Sequence, residues 1–188
     1  MLHFPKRWSL TGGLLAALLF ASGAQAAMVM KMDLGDLAGN ADKVFRGTVV
    51  SVEPGTVQAG GGELPAVVYT VQVDDAIKGN FGSGKDASFV ELRMLGSLKA
   101  DTQTGNIRRL SGVDINPKLT VGRTYVLFTT APSPVGLSTT VGLNQGLFRV
   151  FNNAQGREMT ANGLDNQGLF DGAVSYQELK NAIKAELN

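Results

Sequence analysis

The chain has 188 residues, no cysteine, a single histidine and a single tryptophan, and a formal net charge of +1. His3 and Trp8 both lie within the first 26 residues, so the remainder carries neither thiol nor imidazole. That remainder cannot form disulfide staples, zinc centres of the usual Cys/His kind, or catalytic sites built on histidine or cysteine.

Residues 1–26 have the three parts of a secretory signal. Lys6 and Arg7 form a basic start, Leu10 to Ala21 an apolar run, and Ala24-Gln25-Ala26 a cleavage site that leaves Ala27 as the new N-terminus. The run is shorter than the roughly 20 residues a membrane span needs, so cleavage between Ala26 and Ala27 and a periplasmic or secreted destination are expected. No later stretch is long and apolar enough to span a membrane. Cleavage leaves 15 basic against 16 acidic residues. That balance gives no long-range field to draw nucleic acid or anionic lipid. Residues 27–188 are long enough to bury a core of their own and read as one domain.

In chain order, Asp33 to Asp42 predicts a short helix capped by Asp33, with Leu34, Leu37 and Ala41 inward. Lys43 to Glu53 predicts a strand, with Val44, Val50 and Val52 among its apolar positions and Gly47 marking a bulge or bend. Pro54 to Pro65 reads as a glycine-rich hairpin loop. Val67 to Asp75 predicts a second strand with Val67, Tyr69, Val71 and Val73 on one face, ended by Ile77-Lys78-Gly79. Ala87 to Leu95 predicts a third strand with mixed faces. Gly96 to Leu119 is long, polar and poorly periodic, with room for a short hairpin at Asn106–Leu110. Arg123 to Thr130 predicts a central strand, apolar on both faces through Tyr125-Val126-Leu127-Phe128. Val141 to Phe151 predicts another strand, broken by Gly142 and Gly146, and Asn152 to Gly156 a turn into Arg157–Thr160. Ser175 and Glu178 predict a capping box, and Val174 and Leu179 a hydrophobic staple. They open a C-terminal helix whose stripe is Tyr176, Leu179, Ile183 and Leu187, with Lys180, Lys184 and Glu186 outward.

The order of these motifs carries a resemblance. The D-L-x-x-L-x-x-x-A-D helix is followed by Gly47-Thr48-Val49-Val50, then Tyr69-Thr70-Val71 leading to Ile77-Lys78-Gly79. Val121-Gly122-Arg123-Thr124-Tyr125-Val126-Leu127-Phe128 and Val141-Gly142-Leu143-Asn144-Gln145-Gly146-Leu147-Phe148-Arg149-Val150 come next. Over about residues 33–151 the series resembles a group of secreted bacterial domains. Their fold is distantly similar to the netrin-like domain of tissue inhibitors of metalloproteases. The resemblance implies an all-β fold, a small OB-like, Greek-key barrel flanked by the two helices. Those inhibitors place the amine and carbonyl of an N-terminal cysteine on the protease zinc. Here Ala27-Met28-Val29-Met30 stands in that place, without a cysteine.

Few side chains single themselves out for chemistry. Asp74-Asp75 is an adjacent acid pair whose members point to opposite faces of a strand. Asp165, Asn166, Gln167, Gly168 and Asp171 offer oxygens near glycines, but at spacings that fit turn chemistry better than a calcium loop. Arg108 and Arg109, with Lys99 and Lys118, form a basic loop that could meet phosphate or polysaccharide, and it lacks the aromatics of a nucleic-acid groove. Ser51 and Ser138-Thr139-Thr140 are hydroxyls without a histidine. Met28, Met30 and Met32 alternate as thioethers would for Cu(I), though an apolar lead-in to the domain explains them more simply. The reading is an exported, non-catalytic binding or inhibitory module, without cofactor or metal, acting on another exported protein. Arg108 and Arg109 are its candidate binding residues. A structural component of the cell envelope is the alternative, and a hydrolase using carboxylates alone comes third.

Overall fold

A computed structural model describes residues 30–83, 88–98 and 116–188 of the chain. Ala26, Ala27, Met28, Lys99, Arg108, Arg109 and the Asn106–Leu110 segment lie outside the described residues.

Helix α1 (Leu34–Asn40) begins where Asp33 accepts from the Asp36 N–H at 2.7 Å, while the Asp36 carboxylate accepts from the Asp33 N–H at 3.3 Å. This reciprocal box satisfies two donors that the first turn would otherwise leave orphaned. At the other end, the Lys78 ammonium donates to the carbonyls of Ala38 (2.7 Å), Gly39 (3.3 Å) and Ala41 (2.7 Å). A cation there satisfies the last carbonyls and complements the helix dipole.

Two 17-residue strands follow, β1 (Lys43–Ala59) and β2 (Gly62–Lys78), paired antiparallel from Val44↔Lys78 to Ala59↔Gly62. The predicted loop from Pro54 to Pro65 is therefore mostly strand, and the turn is only Gly60-Gly61. Beyond Thr48, β1 has no second partner, and β2 meets its other neighbour only from Ala66 onward. A proline without an N–H is tolerated in such one-sided stretches, so Pro54 and Pro65 do not stop the strands. Gly47 sits at one of the register shifts of β1, and a Cβ there would lie 2.5 Å from the Gln72 carbonyl. A further shift between Val49 and Ser51 leaves Val50 without a partner and exposed.

The remaining strands are β3 (Phe89–Leu95), β4 (Thr124–Thr129), β5 (Leu147–Asn152), β6 (Glu158–Asn162) and β7 (Val174–Ser175), followed by α2 (Tyr176–Glu186). All pair antiparallel in one seven-stranded sheet of order β3-β2-β1-β4-β5-β6-β7, with β3 and β7 at its edges. The fold is thus mostly β with two helices. The strand predicted over Val141 to Phe151 divides, its first part forming a 3-10 turn at Leu143–Gly146.

The sheet is buried on both sides where it is most apolar. Val126 and Phe128 of β4 join Leu37, Val44, Phe148, Leu179 and Ile183 in a core under the two helices. Tyr125 and Leu127, their alternates on the same strand, join Phe45, Val71, Leu92 and Leu119 in a second core enclosed by β1, β2 and β3. A strand flanked by two cores has no polar face, which accounts for the run Tyr125 to Phe128.

In α2 the Ser175 hydroxyl accepts from the Glu178 N–H at 3.2 Å, but the return half of the expected box is absent. Ser175 is also the last residue of β7, paired with Met159. Leu179 and Ile183 are fully buried, while Leu187 is the helix C-cap and 37% exposed, so the apolar stripe is one residue shorter than predicted. Lys180 is not outward either: its ammonium bonds the Asp75 carboxylate across the helix–sheet junction.

Candidate functional site

Four short segments meet around an open cleft of about 620 Å³, and each wall is held by a specific device. The first wall is Met30 to Met32. The Gln145 side chain, 4% exposed, accepts from the Met32 N–H at 2.9 Å and donates to the Met30 carbonyl at 3.0 Å. One carboxamide thus acts as a strand partner for this segment. It turns Lys31 over Gly168, where a Cβ would lie 2.4 Å from the Lys31 ammonium. Gly168 also has a φ of +84°, a left-handed conformation that favours glycine.

The second wall is Leu164 to Gln167, a turn locked from beneath by two buried asparagines. The Asn162 side chain accepts from the N–H groups of Leu164 and Asn166, both at 2.9 Å. The Asn166 oxygen accepts from the Asn162 N–H at 2.8 Å, and its amide donates to the carbonyls of Thr160 (3.0 Å) and Gly172 (2.9 Å). The Asn166 oxygen is therefore turned inward onto backbone. The Asp165–Asp171 stretch is a self-satisfied turn, and no three acidic or histidine side chains gather among the described residues.

The third wall is Gly142 to Gln145. The Thr140 hydroxyl donates to the Leu143 carbonyl at 2.6 Å, and the Gly163 N–H donates to the Asn144 carbonyl at 2.9 Å, tying this wall to the second. The fourth is Asn116 to Lys118. Asn116 donates to the Leu95 carbonyl at 2.9 Å, and Leu119 is rooted in the second core. A smaller recess of about 200 Å³ adjoins across Asn116, lined by Arg93, Thr130, Ser138 and Thr139 among others.

Among the described residues, three non-glycines have positive φ: Leu143 (58°), Asp165 (51°) and Asn166 (61°). All three belong to walls of this cleft. Asp and Asn tolerate the left-handed region, whereas a leucine there is strained, and such strain gathers at functional positions. Among the described residues the lining includes Lys31, Lys118, Asn144, Gln145 and Gln167, and no carboxylate, hydroxyl or aromatic. Lys31, Lys118, Asn144 and Gln167 have no side-chain partner among the described residues. Among the described residues the cleft therefore presents positive charge and hydrogen-bonding amides.

A second polar group ties α2 to the sheet. Arg46 on β1 makes a two-pronged ion pair with Glu158 on β6, at 2.8 and 2.9 Å, and lies 4.8 Å over the Tyr176 ring. The Tyr176 hydroxyl donates to Asp75 at 2.7 Å beside Lys180. Burial pushes the Asp75 carboxyl up, but the hydrogen bonds from Lys180 and Tyr176 outweigh it and hold the group below the ordinary carboxylate range. Burial, together with Asp75, pushes the Tyr176 phenol well above its ordinary value. Asp74 is on the other face and accepts from Thr48 at 3.0 Å, so the two acids of the pair do serve separate partners.

The other predicted candidates scatter. Ser51 donates to Thr70, and the Ser138 hydroxyl accepts from the Arg93 N–H at 3.4 Å, so neither pairs with a lysine. Met30 is 81% exposed at the cleft mouth, while Met32 packs on the first core. Of the basic loop, only Lys118 lies among the described residues, and it reaches the cleft. Gln145 and Asn162 do not stand out in the sequence, and Asn166 stands out only as a turn residue with an oxygen to offer. A polar residue flanked by glycines inside an apolar strand pattern, as in Asn144-Gln145-Gly146, is the signal that was available. Compared with known proteins, the chain matches no family model, no curated protein and no solved structure.

Proposed function

We propose that this chain is an exported, non-catalytic binding module that acts on another envelope or extracellular protein, and that the cleft is its contact surface. The observation that carries this reading is the composition of the cleft among the described residues: cations and amides set on a rigid, locally strained frame, with no carboxylate or hydroxyl beside them. Rigid frames lower the ordering cost of association. The resemblance to netrin-like inhibitors gives the reading one specific form, inhibition of an exported protease. The closed OB-like barrel belongs to the same proposal. It is supported by two contacts that bring β3 toward the segment after β4: the Ser138 N–H donates to the Arg93 carbonyl at 2.9 Å, and the Arg93 N–H donates to the Ser138 hydroxyl.

Site-specific photocrosslinking in the producing cell tests the proposal. A photoreactive residue at Leu143 should give one adduct with a different exported protein, and the same residue at the exposed Phe151 of β5 should give none. An adduct of twice the chain's own mass would favour the structural component, and no adduct at Leu143 would remove the cleft from the proposal.

A further inference from the structure

We infer that the cleft takes an extended polypeptide segment bearing a carboxylate, with Lys31 and Lys118 reading the acid. This rests on the binding-module proposal and names the chemistry of its ligand.

Charge is the first argument. Among the described residues, two lysines line the cleft with no acid beside them, and neither has a partner. The adjoining recess adds Arg93, which is ion-paired with the neighbouring, 55%-exposed Glu91. The two recesses together carry three cations, two of them unpaired among the described residues. Such cations around a concave surface favour an anion over a neutral ligand.

Shape and hydrogen bonding make that anion part of a peptide. The two recesses share Asn116, so the groove is elongated. Asn144 and Gln167 offer both donor and acceptor, which matches the alternating N–H and C=O of an extended backbone. Leu143 and Leu164 (45% exposed) give apolar contacts beside the cations, as an acidic segment with hydrophobic neighbours requires. Among the described residues, no aromatic side chain lines either recess. Nucleotide bases stack on such rings, and their absence leaves a base no platform here.

Lys31 is also positioned rather than merely present. The Gln145 clamp fixes the backbone on both sides of it, and Gly168 leaves the space in which its side chain lies. A methyl group at Gly168 would displace the ammonium, so Gly168 is a positioning residue for the acid-reading lysine.

The test uses the processed protein and three probes, followed by amide chemical shifts. The first is a blocked decapeptide alternating glutamate with leucine, the second its glutamine isostere, the third polygalacturonate. The glutamate peptide should move the Leu143, Asn144 and Gln167 resonances saturably, and the isostere should bind at least about ten-fold more weakly. The Lys31→Met/Lys118→Met double variant should lose about the same factor at an unchanged urea midpoint. Gly168→Ala should weaken the glutamate peptide more than the isostere, a difference that mere loss of stability would not produce. Equal binding of the two peptides, tighter binding of polygalacturonate at the same resonances, or no response to either peptide would overturn the inference. If a Leu143 photo-adduct still forms in any of those cases, the binding-module proposal survives and only its ligand chemistry is wrong.

Discussion

Replacing Asn166 should be the most costly single change outside the apolar cores. The residue is fully buried, and its side chain serves the Asn162 N–H and the carbonyls of Thr160 and Gly172. Asn166→Ala leaves those three backbone groups without a partner, at roughly 1–3 kcal/mol each. The Gly172 end is only part-buried, so water relieves some of that loss. Alanine must also hold a φ of +61°, which costs an L-residue about 1–2 kcal/mol. The total expected is about 4–5 kcal/mol. Asn166→Gly loses the same bonds without the backbone strain. Its greater freedom when unfolded returns about 0.4–1 kcal/mol of that advantage, so it should be milder than alanine by about 0.5–1 kcal/mol. Urea unfolding of both variants, read as midpoint and slope, measures this. Calcium or a chelator should not move the midpoint of the unsubstituted protein, because the Asn166 oxygen that a cation would need is already bonded to backbone. A loss below about 1.5 kcal/mol for Asn166→Ala, or glycine no better than alanine, would refute the reasoning.

Five further outcomes follow from the structure and the sequence. Leu179→Ala and Ile183→Ala should each cost about 2–4 kcal/mol in urea unfolding, as buried large-to-small changes do, whereas Ser175→Ala should cost about 1 kcal/mol through the lost cap. Lys78→Met should cost about 2 kcal/mol, because it strips charged donors from three carbonyls at the end of α1. Asp75 has a lower value folded than unfolded, so its contribution is present above about pH 4 and lost as the pH falls through the folded value. Asp75→Asn should therefore lower the melting temperature at pH 7 and flatten its acid decline. Tyr176 is shifted upward, so its contribution is complete below about pH 10 and lost as the pH rises beyond it; Tyr176→Phe should flatten that alkaline decline. Intact mass of the exported protein should show the loss of residues 1–26, and a full-length species would refute cleavage after Ala26.

What the sequence made legible was local. Asp33 and Ser175 mark helix starts because an N-cap is chosen by the few residues beside it. Val67, Tyr69 and Val71 announce a strand face because alternation is intrinsic to the extended chain. The unreadable parts depend on partners distant in sequence. Pro54 and Pro65 looked like loop because their tolerance depends on how far β4 and β3 reach along β1 and β2. Lys180 looked like a solvated position because its carboxylate partner lies 105 residues earlier. The cleft was hidden for the same reason: Lys31, Lys118, Gln145 and Gln167 have no common spacing, and Gln145 acts on residues more than 110 positions away. Leu143 gave no warning, since the backbone strain of a leucine is written in the turn around it and not in its identity.

The shared core of α1 and α2 sets the order in which the chain can finish folding. Leu34, Leu37 and Ala38 on α1 and Leu179 and Ile183 on α2 belong to one cluster. A ribosome delivers α1 well over a hundred residues before α2. Until α2 arrives, the greasy underside of α1, β1 and β4 stays uncovered and open to misassociation. The long β1–β2 hairpin can form early because its contacts are local, so the nascent chain carries a finished ribbon beside an unfinished core. Any nascent or clipped form ending before Ser175 remains in that state permanently, prone to aggregate and to be taken by chaperones and proteases. The cover of this core is therefore completed by the docking of one eleven-residue helix.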